Sequence, residues 1–362
     1  MYPVTEKLER ALRASHRINS VVTVQAPGED TLTVRLMAGG IDVDAASAIR
    51  RRGSLTIRGN AEVYEQVAAP GSLVKVHHGL IMGSDIELIP MFTGELVNDA
   101  EYSAGVISCS IADHTSWLSR CRFVSPYVST PGTLRVEVIA QVVQTARPGT
   151  TVMNLSTDAG AVESVRVWTE GPTEVISDLT ADGGTEAYFR ADGVFVIEDV
   201  RTTLDDSVWT IDPGKGGVLK ALSRRRPTDR LYNTVVVRPS ATDGSQTWAQ
   251  VVVQVTDPFH PRHPDKIGVV PYFWNSPTIT NGETADSAGR KILDRVLGTT
   301  ETLALEAIAH PALDVNDVVT AISPAIDKDP RQTFTHFVDG IRFDLAAGSM
   351  SLNTRNVGVV DE

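Results

Sequence analysis

The chain has 362 residues and a formal net charge of −12, a balance that excludes a surface built to hold the phosphate backbone tightly, because such binding needs clustered Lys and Arg. No apolar run approaches the roughly 20 residues that cross a bilayer, so no membrane insertion is expected. Aromatic residues make up only 6% of the chain and Val and Thr recur throughout, which predicts a β-rich α+β protein of two to four units.

The first unit is predicted to span residues 1–125. It opens on an amphipathic helix with Thr5 as its N-cap and with apolar residues at helical spacing: Val4, Leu8, Ala11 and Leu12. Alternating runs bounded by turn residues follow at 18–24, 31–36, 52–59, 73–80, 85–94 and 105–112. Short strands at this spacing predict a barrel or a sandwich. His77 and His78 alternate across one strand, which favours surface and edge positions for them.

The middle unit is predicted to span residues 126–228, after Pro126 and the Pro131-Gly132 pair. A helix is predicted from the spacing of five apolar residues, and Pro148-Gly149 ends it: Leu134, Val138, Ile139, Val142 and Val143. A second helix is expected over about 173–181. The Asp192-Gly193 pair predicts a hairpin between strands at 186–190 and 193–198.

The last unit is predicted to span residues 229–362. A strand is expected at 231–237, a helix at about 284–297, a further strand beginning near 312–319, and a final hairpin of 340–345 and 349–355. We interpret these elements as a small β-barrel with one inserted helix. The predicted fold is therefore two barrel-like β domains flanking a mixed α/β middle domain.

This order of elements resembles the hub proteins of phage tails. The resemblance rests on the Asn-Thr-Val-Val-Val strand at 233–237, the helix with small residues on its apolar side, the Leu-Asp-Val-Asn-Asp-Val-Val turn at 313–319 and the final hairpin. The opening run 2–16 is similar to the start of actinobacteriophage minor tail proteins. The helix, glycine turn and Asp-Gly hairpin of the middle unit are also similar to hub middle domains.

The resemblance implies a structural virion protein at the distal tail tip, made in the host cytoplasm. It implies a homotrimeric ring that gains pseudo-sixfold character from two β domains in each subunit. Its expected partners are the distal tail protein ring, the end of the tape-measure protein, and spike or fibre proteins, with DNA passing through the lumen. An acidic wall suits that passage, because DNA can slide past it without sticking.

Two other functions stay open. The run Tyr272-Phe273-Trp274-Asn275 could serve a receptor- or carbohydrate-binding tail module if its aromatic side chains are exposed. A cell-wall hydrolase is the third hypothesis, because some relatives in the hub family carry lytic domains after the hub region. A glycan-binding screen and a peptidoglycan-release assay would separate these functions.

No catalytic, cofactor or metal site is predicted. Asp113, His114 and Ser116 suggest a triad, but neighbours in sequence rarely fold back to bond each other, and a helix start capped by Asp113, with Trp117 and Leu118 packed inward, explains them better. The loop with His260, His263 and Asp265 could hold a metal but lacks a further ligand pair at known spacing. The run 214–217 lacks the spacing of a phosphate-binding loop.

Two arginine triplets, at residues 50–52 and 224–226, stand out in an acidic chain. Their side chains fit either a solvated face or a contact between subunits that gives register and specificity. The loop at 260–265 is expected to reach a neighbouring subunit or ring. The candidate intersubunit residues are Arg50, Arg51, Arg52, Arg224, Arg225, Arg226, His260 and His263.

Overall fold

A computed structural model of the chain describes residues 1–97, 99–201, 206–225, 231–239, 249–276, 282–297, 301–325 and 331–356. The first unit forms a closed, six-stranded antiparallel barrel, as its alternating pattern predicted. Around the barrel the order is β1 (Arg17–Gln25), β4 (Leu73–Met82), β5 (Asp85–Leu96), β7 (Val106–Asp113), β3 (Arg51–Arg58) and β2 (Leu32–Asp44). Pairing of β2 with β1 closes it, with Val22 opposite Val34. The short β6 (Glu101–Ser103) pairs with β7.

Two helices cover this barrel. The predicted first helix, α1 (Glu6–Leu12), is capped by the Thr5 side chain, which accepts from the Leu8 amide at 3.3 Å. It buries Leu8 and Leu12 against Leu80 of β4. The second, α2 (Ala61–Ala68), was not predicted, although Asn60 caps it in the way an Asn before an apolar run should. In the strands, His78 is 1% exposed, so its predicted surface position is wrong.

The middle unit packs two of its own helices, and one helix from the end of the first unit, on two small sheets. The helices are α3 (Thr115–Arg120), α4 (Arg135–Ala146) and α5 (Pro172–Gly183). A three-stranded sheet has the order β11 (Thr185–Phe189), β12 (Phe195–Asp199) and β9 (Val152–Asn154), and a ribbon pairs β8 (Tyr127–Val128) with β10 (Val167–Trp168). Helices α4 and α5 and the Asp-Gly hairpin of β11 and β12 confirm the predictions, and these elements enclose a separate apolar core.

The last third departs from the single small β-barrel predicted for residues 229–362. The strand predicted at 231–237 does not pair with the final hairpin. Instead β15 (Thr234–Pro239) lies between β16 (Val251–Gln254) and β17 (Pro271–Ser276), with a short helix α6 (Pro264–Ile267) before β17. The predicted helix, α7 (Gly282–Leu297), packs on this sheet and shares a small core with it. We call residues 231–297 the insert.

The remaining strands extend the barrel sheet. Their order is β13 (Trp209–Ile211), β19 (Val318–Ile322), β20 (Thr333–Asp344), β21 (Ser349–Arg355), β18 (Thr302–Ile308) and β14 (Leu219–Arg225). The final hairpin of β20 and β21 is as predicted. No ladder joins β13 to β14 within the described ranges, so a second closed barrel is not confirmed.

One pairing joins the two ends of the chain. Residues 40–44 of β2 run antiparallel to residues 340–344 of β20. Side chains from the barrel and from the last strands therefore share one apolar core, which includes Ile41, Ile57, Leu305 and Phe343. The first barrel and the C-terminal strands form one continuous sheet, with the middle unit and the insert as excursions from it.

Candidate functional site

Arg50 links the barrel to the middle unit. It ends the turn before β3, and its guanidinium is 2.5 Å from the Glu186 carboxylate while its Cζ lies 3.4 Å from the centre of the Tyr188 ring. Glu186 also accepts from the Asn316 side chain at 2.6 Å, so it contacts the C-terminal strands as well. Burial raises the pKa of Glu186 against the opposing charge of Arg50.

Arg51 makes a second link at the same place. Its guanidinium donates to the Phe189 carbonyl at 3.0 Å and pairs with the Asp314 carboxylate. Its backbone amide donates to Asp113 at 2.7 Å. Arg51 is 2% exposed and Arg50 is 4% exposed, so both side chains make their contacts within one chain. The expectation that these two contact another subunit is therefore wrong.

Three other arginines of the two triplets lie at the surface. Arg52 is exposed on β3. Arg224 pairs with Glu301 and its Cζ lies 5.0 Å from the centre of the Phe334 ring. Arg225, beside it on the edge strand β14, is exposed and makes no ion pair with any described residue. Arg226 lies outside the described residues. For Arg52, Arg224 and Arg225 an intersubunit contact stays a prediction.

His260 and His263 each accept a hydrogen bond from a backbone amide within their own turn. The Nδ1 of His260 accepts from the Arg262 amide at 3.1 Å, and the Nδ1 of His263 accepts from the Asp265 amide at 3.3 Å. Burial and the charge of Arg262 lower the pKa of His260. Within the ranges given above, no three His, Cys, Asp or Glu residues are close enough together to hold a metal ion. The two histidines act locally as turn caps.

The Asp113, His114 and Ser116 side chains do not form a relay. Asp113 accepts from the Arg51 and Thr115 amides, and His114 points its Nδ1 to Glu95 at 3.2 Å. Asp113 bonds the first amide of α3, but the N-cap position is His114, whose side chain makes no capping bond, so the predicted Asp113 cap is not confirmed. Leu118 of this helix is buried, but Trp117 is 37% exposed, so its predicted inward position is wrong.

A cleft lies where the barrel meets the middle unit. It has a volume of about 290 Å³ and is lined by residues of β4, β5, the α4–β9 loop and the β11–β12 hairpin, with His114 at its base. Glu95, 4% exposed, lies under it and is held by His114, Arg147 and Arg120. Burial alone would raise the pKa of Glu95, but the His114 hydrogen bond and the Arg147 charge outweigh it and lower the pKa.

Three buried histidines lie in the continuous sheet and its loops. His78 of β4 bonds Ser20 at 2.8 Å, His336 of β20 bonds Thr354 at 2.9 Å, and His310 packs edge-on against Trp209 with ring centres 4.8 Å apart. Burial lowers the pKa of each to about 4, so all three are neutral at pH 7. The alternating pattern of β4 could not reveal that His78 is buried, because the barrel and α1 cover both faces of this strand.

Among the helices the structure describes, none has the length and apolar character to cross a bilayer. No protein-family model matches the chain, and no curated protein matches it in sequence.

Solved phage tail proteins share its fold over nearly their whole length. A tail protein from Neisseria meningitidis is 15% identical with a TM-score of 0.67, and the match covers 94% of this chain and 98% of that one. The 43 kDa tail protein of prophage MuSo2 from Shewanella oneidensis is 15% identical with a TM-score of 0.64, covering 92% and 98%.

A third likeness is to an Escherichia coli component of the type VI secretion system, described as similar in structure to the bacteriophage T4 tail proteins gp27 and gp5. It is 9% identical with a TM-score of 0.56, and the match covers 95% of this chain and 77% of that one. At these identities the likeness is one of fold, and the chain has the fold of phage tail proteins, as its sequence resemblance predicted.

Proposed function

We propose that this chain is a structural protein of a phage tail, a hub that forms a homotrimeric ring at the distal tail tip. The ring would join the distal tail protein ring and the end of the tape-measure protein above to spike or fibre proteins below. The observation that carries the proposal is the fold match, which covers 94% of this chain and 98% of a tail protein.

Two features of the chain fit this function. The continuous sheet pairs a strand from the start of the sequence with one from near its end, an arrangement that suits the wall of a ring. The net charge of −12 suits a wall past which DNA moves, because the phosphates are repelled rather than held. The proposal requires no catalysis.

The native mass of the purified chain across a concentration series, with particle images of the same sample, tests the ring. We expect a mass of three chains and particles with a central opening. Arg225→Glu should weaken this assembly if the Arg225 guanidinium, which makes no ion pair with a described residue, meets an acidic neighbour in the ring. Lys220→Glu on the same strand is the matched control. A chain that stays monomeric at every concentration, alone and with a distal tail protein, would refute the ring.

One observation supports a second candidate, a receptor-binding tail module. Tyr272 and Trp274 pack into the core of the insert, but Phe273 between them is 51% exposed on the opposite face. The Arg238 guanidinium lies over it, with Cζ 4.3 Å from the ring centre. An exposed aromatic ring beside a cation can stack on a ligand. A glycan-binding screen with Phe273→Ser as the comparison tests this, and equal binding by both proteins would remove it.

A further inference from the structure

The cleft between the barrel and the middle unit has a cationic rim. Lys75 extends from β4 into it and is exposed, without an ion-pair partner among the described residues. Arg147 lines it from the loop after α4, with 27% of its side chain exposed. Both charges lie on segments from different units, so the shape of the cleft depends on their junction.

The base of the cleft holds Arg147 in place. The buried Glu95 carboxylate binds Arg147 and the Nδ1 of His114, while the Thr93 hydroxyl donates to the Ala191 carbonyl at 2.8 Å across the junction. A charged group whose position is fixed by its own partners loses little freedom when a ligand arrives. The cleft is therefore formed before anything binds in it.

The charges around the cleft leave a positive surplus. Among the described residues that line it, Asp192 is the one acidic residue. Its carboxylate pairs with Arg190 and accepts from the Val194 amide at 3.1 Å. Glu95 beneath is matched by Arg147, with Arg120 at 3.4 Å in addition. Lys75 is not balanced by any of these groups. A local cationic site in a chain of net charge −12 selects for an anionic group.

We propose that this cleft binds a carboxylate side chain on an acidic peptide segment of a partner protein. A volume of about 290 Å³ admits a few side chains but not a nucleic-acid duplex. DNA, with one negative charge per about 1.7 Å of duplex, is also repelled more strongly by an acidic chain than a short acidic loop is. Lys75 and the exposed part of Arg147 would contact the carboxylate. The site lies within one chain, so the inference does not depend on ring formation.

Trp117 provides the readout. Its ring centre lies 5.9 Å from the Cζ of Arg147 and 5.5 Å from that of Arg120, so its fluorescence responds to what those guanidinium groups bind. The probe is a capped tetraglutamate peptide added to the full chain at constant, low ionic strength. We expect a saturable change in fluorescence that is lost in Trp117→Phe. A capped tetraglutamine peptide should give no saturable change.

Lys75→Glu should weaken tetraglutamate binding by at least about tenfold, because the variant places a like charge against the ligand. Lys75→Arg should preserve binding, and Lys215→Glu, in an exposed turn away from the cleft, should leave it unchanged. Thermal unfolding of each variant checks that the fold is intact. Equal binding of the two peptides, or unaltered binding by Lys75→Glu, would overturn the proposal. Tighter binding of inorganic phosphate than of tetraglutamate would overturn it in favour of a phosphate ligand.

Discussion

His310 should make folding sensitive to acid, and asparagine in its place should remove that sensitivity. The imidazole is fully buried, its Nδ1 accepts from the Ala312 amide at 3.3 Å, and its Nε2 has no hydrogen-bond partner in the described part of the chain. Burial lowers its pKa from the usual 6.5 to about 4. Asparagine can keep an acceptor near the Nδ1 position but cannot take up a proton in this range.

Acid lowers the free energy of unfolding because His310 binds a proton less readily in the folded chain than in the unfolded chain. The unfolded chain takes up a proton at His310 near pH 6.5, whereas the folded chain does not until about pH 4. Above pH 6.5 His310 therefore leaves the free energy of unfolding at its full value. As the pH falls from 6.5 toward 4, protonation of His310 in the unfolded chain lowers this free energy. At pH 5.0, about 1.5 units below the unfolded pKa, the loss from this one residue is about 2 kcal/mol.

Urea unfolding at pH 7.5 and pH 5.0, followed by tryptophan fluorescence, measures this difference. The drop in free energy of unfolding between the two pH values should be about 2 kcal/mol smaller in His310→Asn than in the original chain. The volume lost in the substitution costs the same at both pH values and cancels. Leu313→Ala, a buried neighbour that does not titrate, should lower stability equally at both pH values. An identical pH dependence in His310→Asn and the original chain would refute the reasoning.

Arg51→Met should destabilise the fold by about 3 kcal/mol, because it leaves the Phe189 carbonyl without the Arg51 donor and Asp314 without its counter-charge. The control Arg52→Met, at an exposed position, should change stability by about 0.5 kcal/mol or less. Equal effects of the two in thermal unfolding would contradict the link at the junction. Gly94→Ala should lower the stability of the fold by about 3 kcal/mol or more, since the added Cβ would lie 2.1 Å from the Ala112 carbonyl oxygen in the barrel wall. The comparison is Gly282→Ala, whose added Cβ would meet no described atom within 4 Å. Circular dichroism and thermal unfolding compare these two, and a stable Gly94→Ala barrel would contradict the packing described.

Local signals in the sequence predicted most of the elements. The spacing of apolar residues located α4 and α7, and the Asp192-Gly193 pair located the β11–β12 hairpin, because helix periodicity and turn residues act over a few positions. The first barrel also followed from its alternating runs. The order of elements pointed to the fold that the comparisons bear out.

Long-range pairing was not predictable in the same way. The Val-rich strand at 234–237 looks the same whether it joins the final hairpin or, as it does, the parallel partner β17. Burial of Arg50 and Arg51 depends on Glu186 and Asp314, which lie far along the chain. Without those partners, a basic triplet in the sequence indicates a surface position. The cleft is likewise formed by segments from separate units and has no motif of its own.

The pairing of β2 with β20 has a consequence for how the protein is made. Residues 40–44 leave a ribosome about 300 residues before their partners at 340–344, which at a synthesis rate of about 5–20 residues per second is a delay of about 15–60 seconds. During that interval one edge of the nascent barrel has open backbone donors and acceptors that another chain can bind. The yield of native protein should therefore depend on the concentration of nascent chains and on chaperones that shield this edge, even in variants whose finished fold is fully stable.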